Sequence, residues 1–356
     1  MLIKNIRNIM ASAAGVALAT SAMADHHMPK TATVAGQFRS EMTYNDDGLA
    51  KIEDGGKSSS TTILGLKDVR LYVKGSLNDK ATYDFGFDFL QAESSDLVYN
   101  AIVNWKVSEM VSMTLGKDYV HQGGYSNSDN VFINNWGDRY QKLAFDRTAN
   151  AVSLHYAPNS MHNVTVQLVN DLIDDPATDD SEAFYNTSHK QPAAILEYTG
   201  EFGAIKPLVQ YGQYDMNHSS FWNVGARAKF GATALTFDYG ANSMSMPVGA
   251  ADKAVVFNNM TLRAEHDMGS LAPFFWYNSY NRVDKEITGT ETKTNAAGEW
   301  YDNANQISVG TSFKSFGDNF APYVAYRMTS GKFLNSANLE KTGSEGQLAV
   351  GLAGNF

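Results

Sequence analysis

No cysteine occurs in the 356 residues, so no disulfide contributes to stability and the fold must be held by hydrogen bonding and packing. Positive charge is scarce as well. Lysine and arginine number 28 against 38 aspartates and glutamates, a formal net charge of −10, which argues against a nucleic-acid partner. No segment beyond the N-terminus offers the ~18 consecutive apolar residues that a membrane helix needs. Mean hydropathy is negative, and prolines number only eight. No G-x-S-x-G nucleophile elbow is present, and His155 and His266 have no Cys or His at metal-ligand spacing. These absences leave little room for a helical membrane protein, a disulfide scaffold or a recognisable enzyme, and they imply neither metal nor cofactor.

Aromatic residues and glycine, by contrast, are plentiful, at 12% and 29 residues. The stretch Tyr83-Asp84-Phe85-Gly86-Phe87-Asp88-Phe89 places four rings on one parity and two carboxylates on the other. In a strand, whose side chains alternate between faces, every ring points one way and both aspartates the other. One half-buried sheet of a soluble protein accounts for one such stretch. A series of them requires a different explanation.

The series is there. Val34, Phe38 and Met42 oppose Gln37, Arg39, Glu41 and Thr43; Leu71 and Val73 oppose Arg70 and Lys74, with Lys67 breaking the parity and predicting a bulge. Val103 and Trp105 oppose Asn104 and Lys106, Val166 and Leu168 oppose Gln167, and Trp222, Val224 and Ala226 oppose Asn223, Gly225 and Arg227. The alternation continues to Leu348, Val350, Leu352 and Phe356. Lys206–Tyr214 and Leu271–Tyr280 are less clean and are assigned as strands from their place in the series. The sum is about sixteen strands, an even number within the range of bacterial barrels.

Connections mostly alternate in length: short near 78–80, 108–110, 157–162, 203–205, 231–232, 267–270 and 315–319, longer and polar at 45–61, 119–146, 171–191, 243–254, 281–302 and 329–344, with those near 92–96 and 215–219 short on the long side too. Short turns at one end and long loops at the other describe a membrane barrel. Tyr44, Tyr72, Tyr99, Trp105, Tyr156, Tyr198 and Phe230 fall near strand ends, where interfacial girdles form. The N-terminus reads as an export signal: Lys4 and Arg7, an apolar run from Ile9 to Ala19, and Ala22-Met23-Ala24 before Asp25. Removal of residues 1–24 takes away two positive charges and no negative ones, so the mature chain, 25–356, carries a formal −12.

The chain resembles the trimeric sixteen-stranded porins of Gram-negative bacteria. Arg70-Leu71-Tyr72-Val73-Lys74-Gly75-Ser76-Leu77, running into Tyr83-Asp84-Phe85, resembles strands of the phosphate-selective branch. Arg147-Thr148-Ala149-Asn150-Ala151-Val152, continuing to Tyr156-Ala157-Pro158, resembles the strand after the constriction in general diffusion porins. The terminal Phe356 resembles the assembly signal of outer-membrane proteins. The resemblance implies an all-β transmembrane antiparallel barrel, a homotrimer in outer-membrane lipid and lipopolysaccharide, and passive diffusion of small hydrophilic solutes and ions without catalysis. It also implies that the loop after the fifth strand, Tyr119 to Asp146, folds into the lumen.

On that reading Arg39, Arg70, Arg147 and Arg227 line the pore on the basic side, and Asp118 and Asp129 on the acidic side. The near balance of inward charges argues for weak cation preference or little preference. An anion- or phosphate-specific channel is the alternative, and an outer-membrane enzyme or adhesin a weaker one. The acidic run from Asp171 to Glu182 reads as a solvated external loop.

Overall fold

The computed structural model describes residues 31–46, 60–91, 97–125, 148–170, 193–214, 219–248, 251–282, 301–314, 320–334 and 340–355. The export signal at 1–24, Arg147, Asp129 and the acidic run from 171 lie outside the described residues. Sixteen strands run in chain order: β1 Thr31–Asp46, β2 Ser60–Ser76, β3 Ala81–Asp88, β4 Val98–Lys106, β5 Val111–Tyr119, β6 Thr148–Asn159, β7 His162–Asn170 and β8 Ala193–Gly200. They continue as β9 Ile205–Tyr214, β10 Ser219–Phe230, β11 Thr233–Val248, β12 Ala251–His266, β13 Leu271–Arg282, β14 Tyr301–Phe313, β15 Phe320–Leu334 and β16 Glu340–Asn355. Each pairs antiparallel with its sequence neighbours, and β1 returns to β16 with Gln37 opposite Asn355 and Glu41 opposite Gly351. The sheet is a closed barrel.

Burial is inverted relative to a soluble protein. Gln167 and Thr329 are fully buried, whereas Leu168 and Phe230 are 56% and 57% exposed. An apolar side chain left in water forgoes about 1.5–3 kcal/mol of burial, and this chain places a whole outer surface of Leu, Val, Phe and Tyr that way. Hydrocarbon outside and water inside account for both observations. No helix of the described residues is long and apolar enough to cross a membrane.

The short turns are built by local side chains. Asn78 Oδ1 accepts the amides of Lys80 and Ala81 at 2.8 and 2.9 Å, and Asp267 Oδ1 accepts that of Gly269, whose φ is +82°. The Lys314 ammonium beside Asp267, together with that amide, holds the Asp267 carboxyl below the usual carboxylate range. At the other end the strands run further than the composition predicts. The expected loop 243–254 is mostly strand, with β11 reaching Val248 and β12 starting at Ala251. Its small and polar residues join the ladder because, outside lipid, the backbone hydrogen bonds of a neighbouring strand suffice to extend it.

Two of the four register shifts in the described strands re-aim the wall. The register shifts where Arg39 and Ser40 face Asp68 and Leu66, leaving Lys67 as the extra residue, as the parity break predicts. A second shift lies where Gly86 and Phe87 face Asn100 and Val98, with Tyr99 the extra residue. That bulge corrects the girdle assignment: Tyr99 is buried, with the Arg70 guanidinium 4.2 Å above its ring. Tyr72 also leaves the girdle, because it shares the inward parity of Arg70 and Lys74.

The inner face is not wholly polar. Phe221, Phe274, Trp276, Tyr280 and Tyr323 point inward and are buried, which is why β13 alternates poorly. Several fill a hollow left by glycine on a neighbouring strand: a side chain at Gly212 would run into the Phe221 ring, and one at Gly351 into that of Tyr323. Gly212→Val should therefore destabilise the barrel by about 1–3 kcal/mol. The check is a lower urea midpoint of the heat-modifiable folded band; an unchanged midpoint would show the ring free to move aside.

Candidate functional site

Antiparallel partners share a face, so the register shows what lines the bore. Seven consecutive strands, β9 to β15, contribute Lys206, Arg227, Thr236, Arg263, Trp276, Ser308 and Arg327 to one paired row. The row begins beside the short turn at Lys206 and ends at Arg327, seven positions from the short-turn end of β15. Four of its seven members are basic, so the cationic stripe lies on the later strands. Of the expected basic wall, Arg39 and Arg70 lie on β1 and β2, outside this row.

Arg39 and Arg70 do point inward, but both are buried. Arg70 Nε lies 3.2 Å from Asp88 Oδ2, and the stacking on Tyr99 covers its face. The later basic residues also have partners. Arg263 donates to Glu265 and stacks on Trp276 at 4.7 Å, while Arg327 and Glu345 approach to 3.9 Å. Lys74 and Asp84 pair at 2.7 Å. Pairing at this density leaves little uncompensated charge of either sign.

The segment after β5 lies against the opposite side of the bore. Residues 120–125 touch inward side chains of β7, β8, β9 and β11 in succession. Gln167 Oε1 accepts the His121 amide at 2.9 Å, and its Nε2 donates to the Tyr119 carbonyl at 2.8 Å. Gln210 Oε1 accepts the Gly124 amide and Asp238 Oδ1 that of Tyr125, each at 2.9 Å. His121 Nδ1 lies 3.0 Å from Glu197 Oε1, and Gln210 Nε2 donates to Glu197 Oε2 at 2.6 Å. A non-strand backbone inside the barrel has no ladder partner, and these wall side chains supply one.

Packing adds to the tether. Val120 is buried among Ala149, Ala151, Val169, Ala193, Ile195 and Phe221, an apolar patch on the inner wall. Arg227 lies 4.7 Å over the Tyr125 ring, whose hydroxyl donates to the Pro207 carbonyl. Gly124, at φ +73°, is required twice over: the backbone is left-handed, and a Cβ would strike Asp238 and Asn223.

Glu197 and Asp238 therefore hold the loop root. Asp118 lies on the inward parity of β5, opposite Ala149, and its Oδ1 accepts the Tyr119 amide at 2.7 Å. Among the described residues it makes no ion pair. Arg147 and Asp129 are not among them. The residues absent from the sequence-level list are Val120, His121 and Tyr125 with their partners Gln167 and Gln210. The two glutamines carried a faint sign of this, being long amides on the inward parity.

A cavity of about 690 Å³ remains between this segment and the early strands, bounded by Gln37, Tyr72, Lys74, Asp84, Asn100 and Asp118 on one side and by His121, Glu197, Thr199 and Gln210 on the other. It is one described part of the passage.

A closed sixteen-stranded barrel with an apolar exterior and a polar bore is the architecture of a channel of the Gram-negative outer membrane. Residues 37–233 match the sequence model of the family described as phosphate-selective porin O and P, and the chain belongs to that family. No curated protein matches it in sequence.

Among solved structures it is similar to the anion-selective porin from Comamonas acidovorans, with 14% identity over 92% of this chain and 99% of that one and a TM-score of 0.63. It is also similar to the outer-membrane channel DcaP of Acinetobacter baumannii, at 12% identity over 91% and 97% with a TM-score of 0.61. OmpT of Vibrio cholerae in a trimer form matches at 15% identity over 92% and 99%, with a TM-score of 0.60. At these identities the likeness is one of fold.

The double variant Gln167→Ala with Gln210→Ala should loosen the tether, each lost hydrogen bond contributing about 0.5–1.5 kcal/mol. Limited proteolysis should then cut between residues 120 and 147 several-fold faster, with the barrel intact on unheated gels. Equal cutting rates would show that Val120 packing alone holds the segment.

Proposed function

We propose that this outer-membrane channel is a general diffusion pore whose loop after β5 narrows the bore, formed after removal of residues 1–24. The observation that carries the reading is the row of wall acceptors, Gln167, Gln210 and Asp238, that binds the loop root along the inner face. A loop meant for the outside would not need its amides satisfied by lumen residues on β7, β9 and β11. The protein acts without catalysis, its solutes being small and hydrophilic, and its surroundings are outer-membrane lipid and lipopolysaccharide. Assembly as a homotrimer draws support from the trimer form of the Vibrio cholerae protein of the same fold.

Asp118 and Asp129 form the acidic side in this reading. The basic side takes in Arg39, Arg70, Arg147 and Arg227, with Arg263 and Arg327 continuing it along the later strands. An opposed pair of walls sets a transverse field that orients dipolar solutes and slows apolar ones.

An anion-selective channel is the second reading, favoured by the basic row from Lys206 to Arg327 and by the family's description. Ion pairing of Arg263 and Arg327 weighs against it. Planar-bilayer recording decides between them. The diffusion pore predicts open, ohmic single-channel steps and a reversal potential near balance or slightly towards cations in a KCl gradient. Asp118→Asn should move that potential towards anions. Strong anion selectivity in the unaltered protein would overturn the first reading in favour of the second, and an absence of conductance would overturn both.

A further inference from the structure

The mid-lumen cluster around His121 has a use that holding the loop does not exhaust. His121 Nδ1 lies 3.0 Å from Glu197 Oε1 of β8, and its ring centroid is 6.3 Å from that of His155 on β6. Asp118, at the end of β5, is within electrostatic reach of both imidazoles, with Asp84 of β3 beyond it. Lys74 of β2 is paired to Asp84. The contacts from β7 and β9, through Gln167 and Gln210, are uncharged.

All of these but His155 and Gln167 border the same 690 Å³ passage. Among the described residues its charged lining comprises one lysine and three carboxylates, Asp84, Asp118 and Glu197, with His121 among them. Lys74 offsets Asp84 and leaves Asp118 and Glu197. With a charged imidazole this lining sums to about −1, and with a neutral one to about −2, the lysine and the three carboxylates being counted as ionised.

We propose that His121 is the proton-operated selectivity residue of the passage: its imidazolium offsets Glu197 beside the loop root, and its loss of a proton turns the pore towards cations. The inference rests on the diffusion-pore reading above. Position supports it, because the ring borders the passage while its main chain is fixed to Gln167, so a change of charge acts where ions pass. The ring's environment supports it too. Burial works against the charged form, but the Glu197 hydrogen bond and charge, with that of Asp118, outweigh it and raise His121 above the ordinary histidine range. The imidazolium is then present below that raised value and lost as pH climbs through it. His155 is placed differently: its two ring nitrogens meet the Thr165 and Thr114 hydroxyls at 2.9 and 3.0 Å, neutral partners that tie it to the wall.

The test is the potassium-to-chloride permeability ratio of the full-length protein in planar bilayers, from reversal potentials in a KCl gradient between about pH 5 and pH 9, a window spanning the ordinary histidine value. One charge at the passage wall, partly screened, changes this ratio about twofold. The unaltered channel should show that rise with increasing pH. His121→Gln, which keeps an amide donor for Glu197 but cannot titrate, should give a flat ratio, and His155→Gln should keep the rise.

Glu197→Gln provides a second variant: the rise should persist with its midpoint moved to lower pH, because the imidazolium has lost its main partner. A conducting wild-type pore with a pH-independent ratio overturns this inference alone, as does an unchanged rise in His121→Gln or an unmoved midpoint in Glu197→Gln. A protein that passes no current overturns the pore reading itself.

Discussion

A backbone amide left without a partner in hydrocarbon costs several kcal/mol, and that penalty governs this protein from end to end. A sheet in lipid has to have no edge, so β1 must find β16, three hundred residues away in sequence, and pair with it in register from Gln37–Asn355 through Asp46–Gly346. Once the sheet is closed, every residue has only two places for its side chain, and the medium on each side is fixed. The outward Phe and Leu residues are not failures of burial, nor is the fully buried Gln167 a misplaced polar group. Both follow from closing a sheet around water inside lipid.

That constraint is why the barrel was legible. Where a face meets hydrocarbon on every strand, a one-residue slip would put the polar set into lipid, so the alternation is kept strictly and is visible in local sequence. The opening stretch of β3 behaves this way, with Tyr83, Phe85 and Phe87 outward and Asp84 and Asp88 inward. Even the Lys67 bulge announces itself by breaking parity.

Legibility fails where the inner face is concerned, because water tolerates a ring as long as something covers it. Phe221 seated over Gly212 and Trp276 under Arg263 satisfy no periodic rule. The Tyr99 bulge is invisible for a related reason: an extra residue between two well-formed halves of a strand reads as continued alternation with a changed sense.

The loop root follows from the same penalty, applied inside the barrel. Six residues leave the ladder at Val120 and lie along a wall whose own backbone is already fully paired, so side chains must accept their amides. Gln167, Gln210 and Asp238 do so from three different strands. This could not be read from the sequence, since no local pattern links residue 121 to 167 or residue 125 to 238. The correspondence exists only after the barrel has closed. Ordinal position identified the loop, and three-dimensional register identified its partners.

Charge is the part where composition and placement diverge most. Counting signs finds near balance, which is compatible with an empty field or with two opposed walls. Register resolves the difference: the basic residues of β9 to β15 fall into one oblique row, while Glu197 of β8 and Asp238 of β11 meet the loop root and Asp118 stands at the end of β5 where that loop begins. Two of the four cations in that row are neutralised by a neighbour on the same wall, Arg263 by Glu265 and Arg327 by Glu345.

A pore that selects phosphate needs donors left over after such pairing, since an anion gains little from a guanidinium already committed to a carboxylate. Membership in a family described by phosphate selectivity supports the scaffold, and on the proposed reading the carboxylates threaded between the arginines set how much anion preference the basic row expresses. On the diffusion-pore reading proposed above they temper it, and Asp118, which makes no ion pair among the described residues, weighs on the side of cations.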